Sequence, residues 1–346
     1  MDCQRVKFER PISGHTLEMA KMFACFSNIN TVNDMLREYP LDIRTQEMVK
    51  LIEHGAKQMF VHNYTNDEPE LEPKKFDDEN IKRCIVCFSG GKDSTAAALT
   101  MREKGYDVQL YYVQGINKSY PNELQVATNI ARWLGMQLIV EKVTLVGKTT
   151  FHDNPVKNQL IASMALYYGL ESGFSTTIVF GDFTEDNIYN SSFLEAWSDT
   201  QEMWSAHNTF VRQYVPSYKI IIPFKNYLET MDVMAIEPTL MQMVQGCVLP
   251  HRFRENAKKN NEKKYNVSLL PNRCGSCWKC CVEYIHYADK GVVPYNTAFY
   301  LHCLNFLADK MDVLHPNVKD RSVESVYKAF LFDDFKTSKY YENECR

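Results

Sequence analysis

The sequence predicts an α/β fold built on a parallel sheet with helices on both faces. From residue 82 onward, short apolar runs alternate with helix-forming stretches. The first junction, KRCIVCFSGG followed by STAAALTMREKG, reads as strand, glycine turn and helix. Strands that alternate with helices pair in parallel and are covered on both sides. After Pro223 the alternation stops, and the chain turns helical around a cluster of cysteines.

Each segment has its own signal. Residues 1 to 63 place apolar side chains at helical spacing, as in Met19, Met22, Phe23 and Phe26 and again in Met48, Leu51, Ile52 and Met59, so a helical N-terminal region is expected. The stretch TNDEPELEPKKFDDEN, with two prolines and dense charge, reads as a linker that completes an extension over 1–80. Beyond the first strand, further strands are expected over Val108 to Val113, Gln137 to Val143, Thr176 to Gly181 and Lys219 to Ile222. Helices are expected over Glu123 to Leu134 and Asn158 to Tyr168, giving an α/β domain over 81–225. A helical region over 226–346 would contain Met231 to Val244, Val282 to Ala288 and Thr297 to Met311, and it ends in the polar tail FDDFKTSKYYENECR.

Composition narrows the class. With 346 residues, 45% hydrophobic and 24% charged, the chain can bury one large core with an appendage, or two cores. It is too apolar for disorder, and 14 glycines with 13 prolines exclude a fibrous repeat. No apolar run approaches the roughly 18 to 20 residues of a membrane span, and MDCQRVKFERP lacks a secretory signal, so no membrane association and a cytoplasmic location are expected. A net charge of -4 argues against a surface that grips nucleic acid everywhere, although Lys258, Lys259, Lys263 and Lys264 form a local basic run. In a reducing compartment, 11 cysteines point to metal ligation or packing rather than disulfides.

The segment Ser89-Gly90-Gly91-Lys92-Asp93-Ser94 lies between an apolar strand and a helix, where backbone N–H groups and the positive end of the helix dipole face outward. Glycines allow close approach of an anion, the Ser89 and Ser94 hydroxyls can donate, and Lys92 adds a point charge for phosphate. A Walker A loop would need glycine at 86 and Ser or Thr at 93, where this chain has Val86 and Asp93. Asp93 is read two ways, as a group that assists metal binding or as a cap for the helix.

Cys274, Cys277 and Cys280 form C-x2-C-x2-C, and Cys247 lies upstream in QGCVLP. Four thiolates suit a tetrahedral Zn2+ site of structural type, with an iron–sulfur centre as the other metal reading. Cys281 is set aside as the fourth ligand because adjacent residues seldom present both sulfurs to one ion, and Cys87 reads as a packing residue in a buried strand.

The SGGKDS loop after an apolar strand resembles the pyrophosphate loop of the PP-loop ATP pyrophosphatase superfamily. With the CGxCxxC cluster and the lone upstream cysteine, the pattern resembles the 7-cyano-7-deazaguanine synthase family over roughly residues 82 to 290. NPVKNQLIASMALYYG matches that family's helix-opening segment at Pro155, Lys157 and Asn158, TTIVFGDFTEDN its strand and acidic loop, and KIIIPF the strand that follows. The chain departs from the family in about 80 residues before the loop, 26 residues between Cys247 and Cys274, a tail of some 60 residues, and a lysine missing after IIIPF or shifted to Lys225.

The resemblance implies a Rossmann-like sheet of PP-loop/HUP type with a zinc-bearing C-terminal region, ATP and Mg2+ as cofactors beside Zn2+, and cleavage between the α and β phosphates. It implies Lys92, Asp93 and Ser94 as catalytic residues, and Ser89, Gly90, Gly91, Asn158, Asp182 and Asp186 as further nucleotide contacts. It further implies a deazapurine carboxylate and ammonia as substrates. Alternatives are a PP-loop enzyme that thiolates or amidates tRNA or nucleobases, and a synthase-like component of a defence or DNA-modification system acting on a protein or nucleic acid. tRNA and DNA are the less favoured partners, while a protein partner on the N-terminal helices and a homodimer are left open. His152, His207 and His251 are candidate bases, though lone histidines more often pack.

Overall fold

The computed structural model describes residues 5–8, 82–115, 122–146, 157–184, 201–247 and 251–314. Its strands are β1 (Arg5–Phe8), β2 (Arg83–Cys87), β3 (Asp107–Gln114), β4 (Leu138–Val146), β5 (Thr177–Phe180) and β6 (Lys219–Ile221). The helices are α1 (Lys92–Glu103), α2 (Glu123–Leu134), α3 (Lys157–Ser172), α4 (Gln201–Tyr214), α5 (Tyr227–Ala235), α6 (Pro238–Met243), α7 (His251–Tyr265), α8 (Trp278–Asp289) and α9 (Thr297–Leu314).

The sheet order is β1-β4-β3-β2-β5-β6. Strands β2 to β6 are parallel, while β1 runs antiparallel along β4 from Arg5 opposite Val146 to Phe8 opposite Val143. From β2 the chain builds outward to β3 and β4, then returns to place β5 on the other side of β2. The loops that leave β2 and β5 therefore diverge at the carboxyl edge of the sheet, and the crevice they open is where ligands settle in folds of this kind.

Period-two alternation supplies both faces. Cys84, Val86 and Phe88 of the β2 segment pack on one side with α1, α2, α5, α6, α8 and α9, while Ile85 and Cys87 pack on the other with α3 and α4. Cys87 is thus a packing residue, and burial pushes its thiol well above the ordinary range. Alanines 96 to 98 are fully buried, which lets α1 lie between the sheet and α5. Helices beyond residue 226 share this core with α1 and α2 and add to the same face of the sheet.

Several elements differ from expectation. Most of the N-terminal region expected to be helical lies outside the described residues, but Arg5–Phe8 is a strand, in keeping with its alternation of basic and apolar residues. The helix expected over 231–244 is two helices, because Pro238 forces Glu237 out of helical geometry to φ -120° and ψ 74°. Helices α4 and α7 were not anticipated. Among the described residues, no helix is long and apolar enough to cross a membrane.

The face carrying α3 and α4 holds a buried polar network. His207 shares hydrogen bonds with the Ser163 hydroxyl at 3.0 Å and the Tyr218 hydroxyl at 3.2 Å, and burial depresses the imidazole to about 3. The unfolded chain would protonate this residue near pH 6.5, so the folded state binds fewer protons and loses stability as pH falls from about 6.5 toward 3. Between pH 6.5 and 5 the cost is about 2 kcal/mol. Urea unfolding across this range should show a shallower pH dependence for His207→Gln than for the parent protein; an identical slope would place the effect elsewhere.

Candidate functional site

The glycine loop occupies the crevice at the carboxyl edge of the sheet, with its backbone gripped on three sides. Gly90 has φ +72°, and a Cβ there would come within 2.8 Å of the Ala127 nitrogen in α2. A Cβ on Gly181, at the end of β5, would meet the Asp93 carbonyl oxygen at 2.6 Å. Gly91 pairs with Gln245 in an isolated parallel bridge, and the Gln245 N–H reaches the Gly90 carbonyl at 3.4 Å. Glycine is required at Gly90 and Gly181 because other backbone already fills the space.

Hydroxyls complete the turn. The Ser89 and Ser94 oxygens lie 3.2 Å apart, the Gly91 N–H donates to Ser89 Oγ at 3.2 Å, and Thr95 Oγ1 donates to the Gly91 carbonyl at 2.7 Å. Gly91 is the N-cap of α1 and has no side-chain cap. Asp93 therefore does not cap the helix. Its carboxylate pairs with Lys92, which also donates to Thr230 Oγ1 and sits 3.8 Å from the centre of the Tyr227 ring. Burial lowers the Lys92 ammonium below its ordinary range, against the pull of Asp93 and Glu283. Burial opposes ionisation of Asp93 as well, but Lys92 and Lys279 hold its carboxyl below the usual range.

Two clefts flank the loop and share Ser89, Gly91, Asp93 and Glu123 as a common rim. One, of about 170 Å³, is walled by Phe88, Tyr111, Val113, Ile161 and Phe180 and is largely apolar. The other, of about 200 Å³, is charged and contains Lys92, Lys279 and Glu283 together with Tyr227, Gln245 and Gly246. Glu123 accepts a hydrogen bond from the Tyr112 hydroxyl at 3.2 Å.

The cysteine cluster adjoins the charged cleft through Cys247, which lines it. Sulfurs of Cys247, Cys274, Cys277 and Cys280 all lie within 4.8 Å of one another and are buried. Cys247 to Cys277 is 3.9 Å, and Cys274 to Cys280 is 3.7 Å. A tetrahedron with metal–sulfur bonds of about 2.3 Å has edges of about 3.8 Å, so the donor set fits one thiolate-bound ion. In a cubane cluster each thiolate would bind a different iron, which spreads the sulfurs outward. Backbone N–H groups of Cys274 and Ser276 point at Cys280 and Cys274 sulfurs at 3.4 and 3.2 Å, as donors do around thiolates. Gly275, at φ +65°, makes the turn between Cys274 and Cys277, and Asn261 of α7 fixes it by donating to the Cys274 carbonyl at 2.9 Å. Cys281 turns away from the other four and toward Cys303.

Not every expected residue reaches the clefts. Asp182 uses its carboxylate locally, accepting from the Phe183 N–H at 2.9 Å and the Trp204 indole N–H at 2.8 Å. Asn158 is buried in the first turn of α3, and Lys225 is exposed before α5, where its N–H is taken by Glu229 at 2.7 Å. Asp186, Pro155 and His152 lie outside the described residues, as does the side chain of His251, while His207 belongs to the core. Sequence reasoning missed Lys279, Glu283, Thr230, Tyr227 and Glu123. Lys279 had a local signal, since it sits between two expected ligands; the others are brought in by packing of α2, α5 and α8.

With this geometry in place, comparison with known proteins is informative for one stretch. Residues 83–163 match the family model of the queuosine biosynthesis protein QueC. Over 88 residues the chain is 32% identical to 7-cyano-7-deazaguanine synthase 2 of Sulfurisphaera tokodaii, an alignment covering 25% of this chain and 19% of that protein. Among solved structures, a predicted tRNA methyltransferase subunit from Methanocaldococcus jannaschii is similar over 44% of this chain and 74% of its own, at 18% identity and a TM-score of 0.27. The U34-tRNA thiolase NcsA from Methanococcus maripaludis, solved with its 4Fe-4S cluster, is similar over 54% of this chain and 68% of its own, at 13% identity and a TM-score of 0.33. The stretch from β2 into α3 is thus similar in sequence to QueC, and the chain spans about a fifth of the length of the curated relative it matches.

Two variants test the site's construction. Cys247→Ser should reduce the metal content of the purified protein from about one ion per chain to near zero, while Cys281→Ser leaves it unchanged; emission spectrometry of both reads the difference. Gly90→Ala should destabilise the fold by more than the roughly 1 kcal/mol typical of a strained glycine site, because the added carbon meets α2 backbone, and thermal melting would show it.

Proposed function

We propose that this chain is a PP-loop ATP pyrophosphatase that adenylates a carboxylate or amide oxygen and passes the activated carbon to a nitrogen nucleophile. The observation that carries the reading is the position of the Ser89–Ser94 loop at the crevice between β2 and β5, with one cleft on each side and a shared rim. The likeness of residues 83–163 to QueC supports it.

The apolar cleft suits the nucleoside, and the charged cleft suits the acceptor. Phosphates would cross the rim, where the free N–H groups at the start of α1 and the hydroxyls of Ser89 and Ser94 stabilise charge as it builds on departing pyrophosphate. Lys92 lies beneath the rim already paired with Asp93, so its charge is held in place before ATP arrives. Mg2+, when bound, would neutralise phosphate oxygens, with Asp93 and Glu123 the acidic side chains at the rim. The acceptor's carboxylate oxygen attacks the α-phosphorus from the charged side, pyrophosphate leaves, and ammonia then displaces AMP to give an amide.

In the finer form of the reading the acceptor is 7-carboxy-7-deazaguanine. A second ATP then activates the amide oxygen, and loss of AMP and a proton leaves the nitrile. The four cysteines would hold Zn2+ with no open position, which makes that ion structural: it fixes Lys279 and Glu283 against the loop. The α/β part over 81–225 would bind ATP, and the helices over 226–346 would complete the acceptor cleft.

Incubated with ATP, Mg2+, ammonium and 7-carboxy-7-deazaguanine, the protein should release AMP and pyrophosphate and form nitrile. Lys92→Met should slow this by roughly 100-fold or more, as expected for removal of a preorganised charge. Release of ADP would overturn the PP-loop assignment. AMP release only when RNA is added would move the acceptor to a polynucleotide, for which the exposed Lys259, Lys263 and Lys264 of α7 offer a basic face.

A further inference from the structure

We infer that the outer face of α7 is a docking surface for single-stranded RNA. The inference holds whichever acceptor the charged cleft takes, because α7 lines neither cleft.

Charge is segregated on this helix. Its sequence, HRFRENAKKNNEKKY, carries six basic and two acidic side chains in a chain whose net charge is -4. The structure then separates them by face. On the inner side Arg254 and Asn261 are buried and Ala257 packs against the cysteine cluster, while Asn261 donates to the Cys274 carbonyl at 2.9 Å and to Ser276 Oγ at 2.7 Å. The acids are engaged at the flanks: Glu262 accepts from the Leu269 N–H at 3.0 Å and lies 3.8 Å from Lys258, and Glu255 lies 3.6 Å from Arg254. The exposed side chains are Phe253, Asn256, Lys259, Asn260, Lys263 and Lys264, which a helical turn of about 3.6 residues gathers on one face that neither acid shares.

The chemistry of that face selects its partner. Lysine neutralises phosphate, and asparagine donates to phosphate or sugar oxygens. The two amides favour RNA over DNA, because each can give and take a hydrogen bond with a 2′-hydroxyl. Phe253, 51% exposed, favours a single strand, whose unstacked bases can lie on an aromatic ring. A lipid surface would need an apolar stripe along the helix, and an acidic protein would engage the lysines alone. From residue 253 to 264 the face runs about 16 Å, which spans about five nucleotides of a stacked strand. It is also held in place before any partner arrives: Asn296 donates to the Tyr265 carbonyl at 2.9 Å, and the Tyr265 ring stacks on His302 at 4.9 Å. Docking therefore costs little ordering of the protein.

The test is fluorescence anisotropy of the full chain with a labelled, unstructured RNA of about a dozen nucleotides, without ATP, between about 50 and 200 mM salt. Three lysines that neutralise three phosphates give a logarithmic salt slope of about -2, so affinity should fall by more than about tenfold across that range. Lys259→Gln combined with Lys263→Gln should weaken binding at least about fivefold and bring the slope near about -0.7. Phe253→Ala should weaken it at least about fivefold with the slope unchanged. Both variants should keep the metal content and melting temperature of the parent, as exposed positions do.

An unchanged slope in the lysine variant overturns the inference, as does failure of the parent to bind RNA at the lowest salt. DNA of the same sequence bound as tightly removes the RNA assignment, and duplex RNA bound more tightly removes the single strand. Polyglutamate that displaces the RNA at equal charge concentration gives the face to an acidic protein instead. RNA binding without AMP release in the turnover assay would remove the adenylation reading and leave this surface standing.

Discussion

The site depends on backbone packed directly against backbone. Gly90 lies against α2, Gly181 brings the end of β5 onto the first turn of α1, and Gly91 pairs with Gln245. The first two contacts exclude a side chain, and the three together hold the loop backbone in one orientation. Because the third contact comes from residue 245, the loop is joined within two residues to Cys247, and through it to the rest of the cysteine cluster. Glycine loop, charged cleft and cysteine cluster are therefore one construction.

Electrostatics follow from this placement. Lys92 and Asp93 are adjacent in sequence, yet their pairing is set by α5, whose Thr230 and Tyr227 enclose the lysine. Lys279 and Glu283 reach the same space from α8, which begins at the cysteine turn. Two cations and three carboxylates, counting Glu123, share one cleft, with Arg273 buried behind Glu283.

The parts legible in the sequence were those that act locally. The SGGKDS turn needs only a strand before it and a helix after it, and the cysteine turn declares itself by spacing; even the choice of Cys247 over Cys281 followed from the way neighbouring residues point. Strands β3 to β6 were legible because buried parallel strands are short apolar runs. Helix α7 was not, since its buried positions include the polar Arg254 and Asn261, which blur the periodicity. Strand β1 is four residues whose pairing lies far along the chain. Glu283 and Thr230 were invisible for a similar reason: nothing near them in sequence shows which cleft they enter. Asp182 is the converse case, a residue in an acidic stretch whose carboxylate serves a neighbouring indole instead.

Helix α7 sits entirely between two sulfur ligands of the proposed ion. Cys247 is anchored beside the loop and Cys274 begins the turn that carries Lys279, so everything from residue 248 to 273 is an excursion that leaves one fixed point and returns to another. The entropy of closing such a ring rises only with the logarithm of its length, by about 0.6 kcal/mol for each doubling. An insertion here can therefore grow, shrink or acquire a new surface while the two anchors, and the chemistry between them, stay where they are. In this chain that excursion holds a lysine-rich helix.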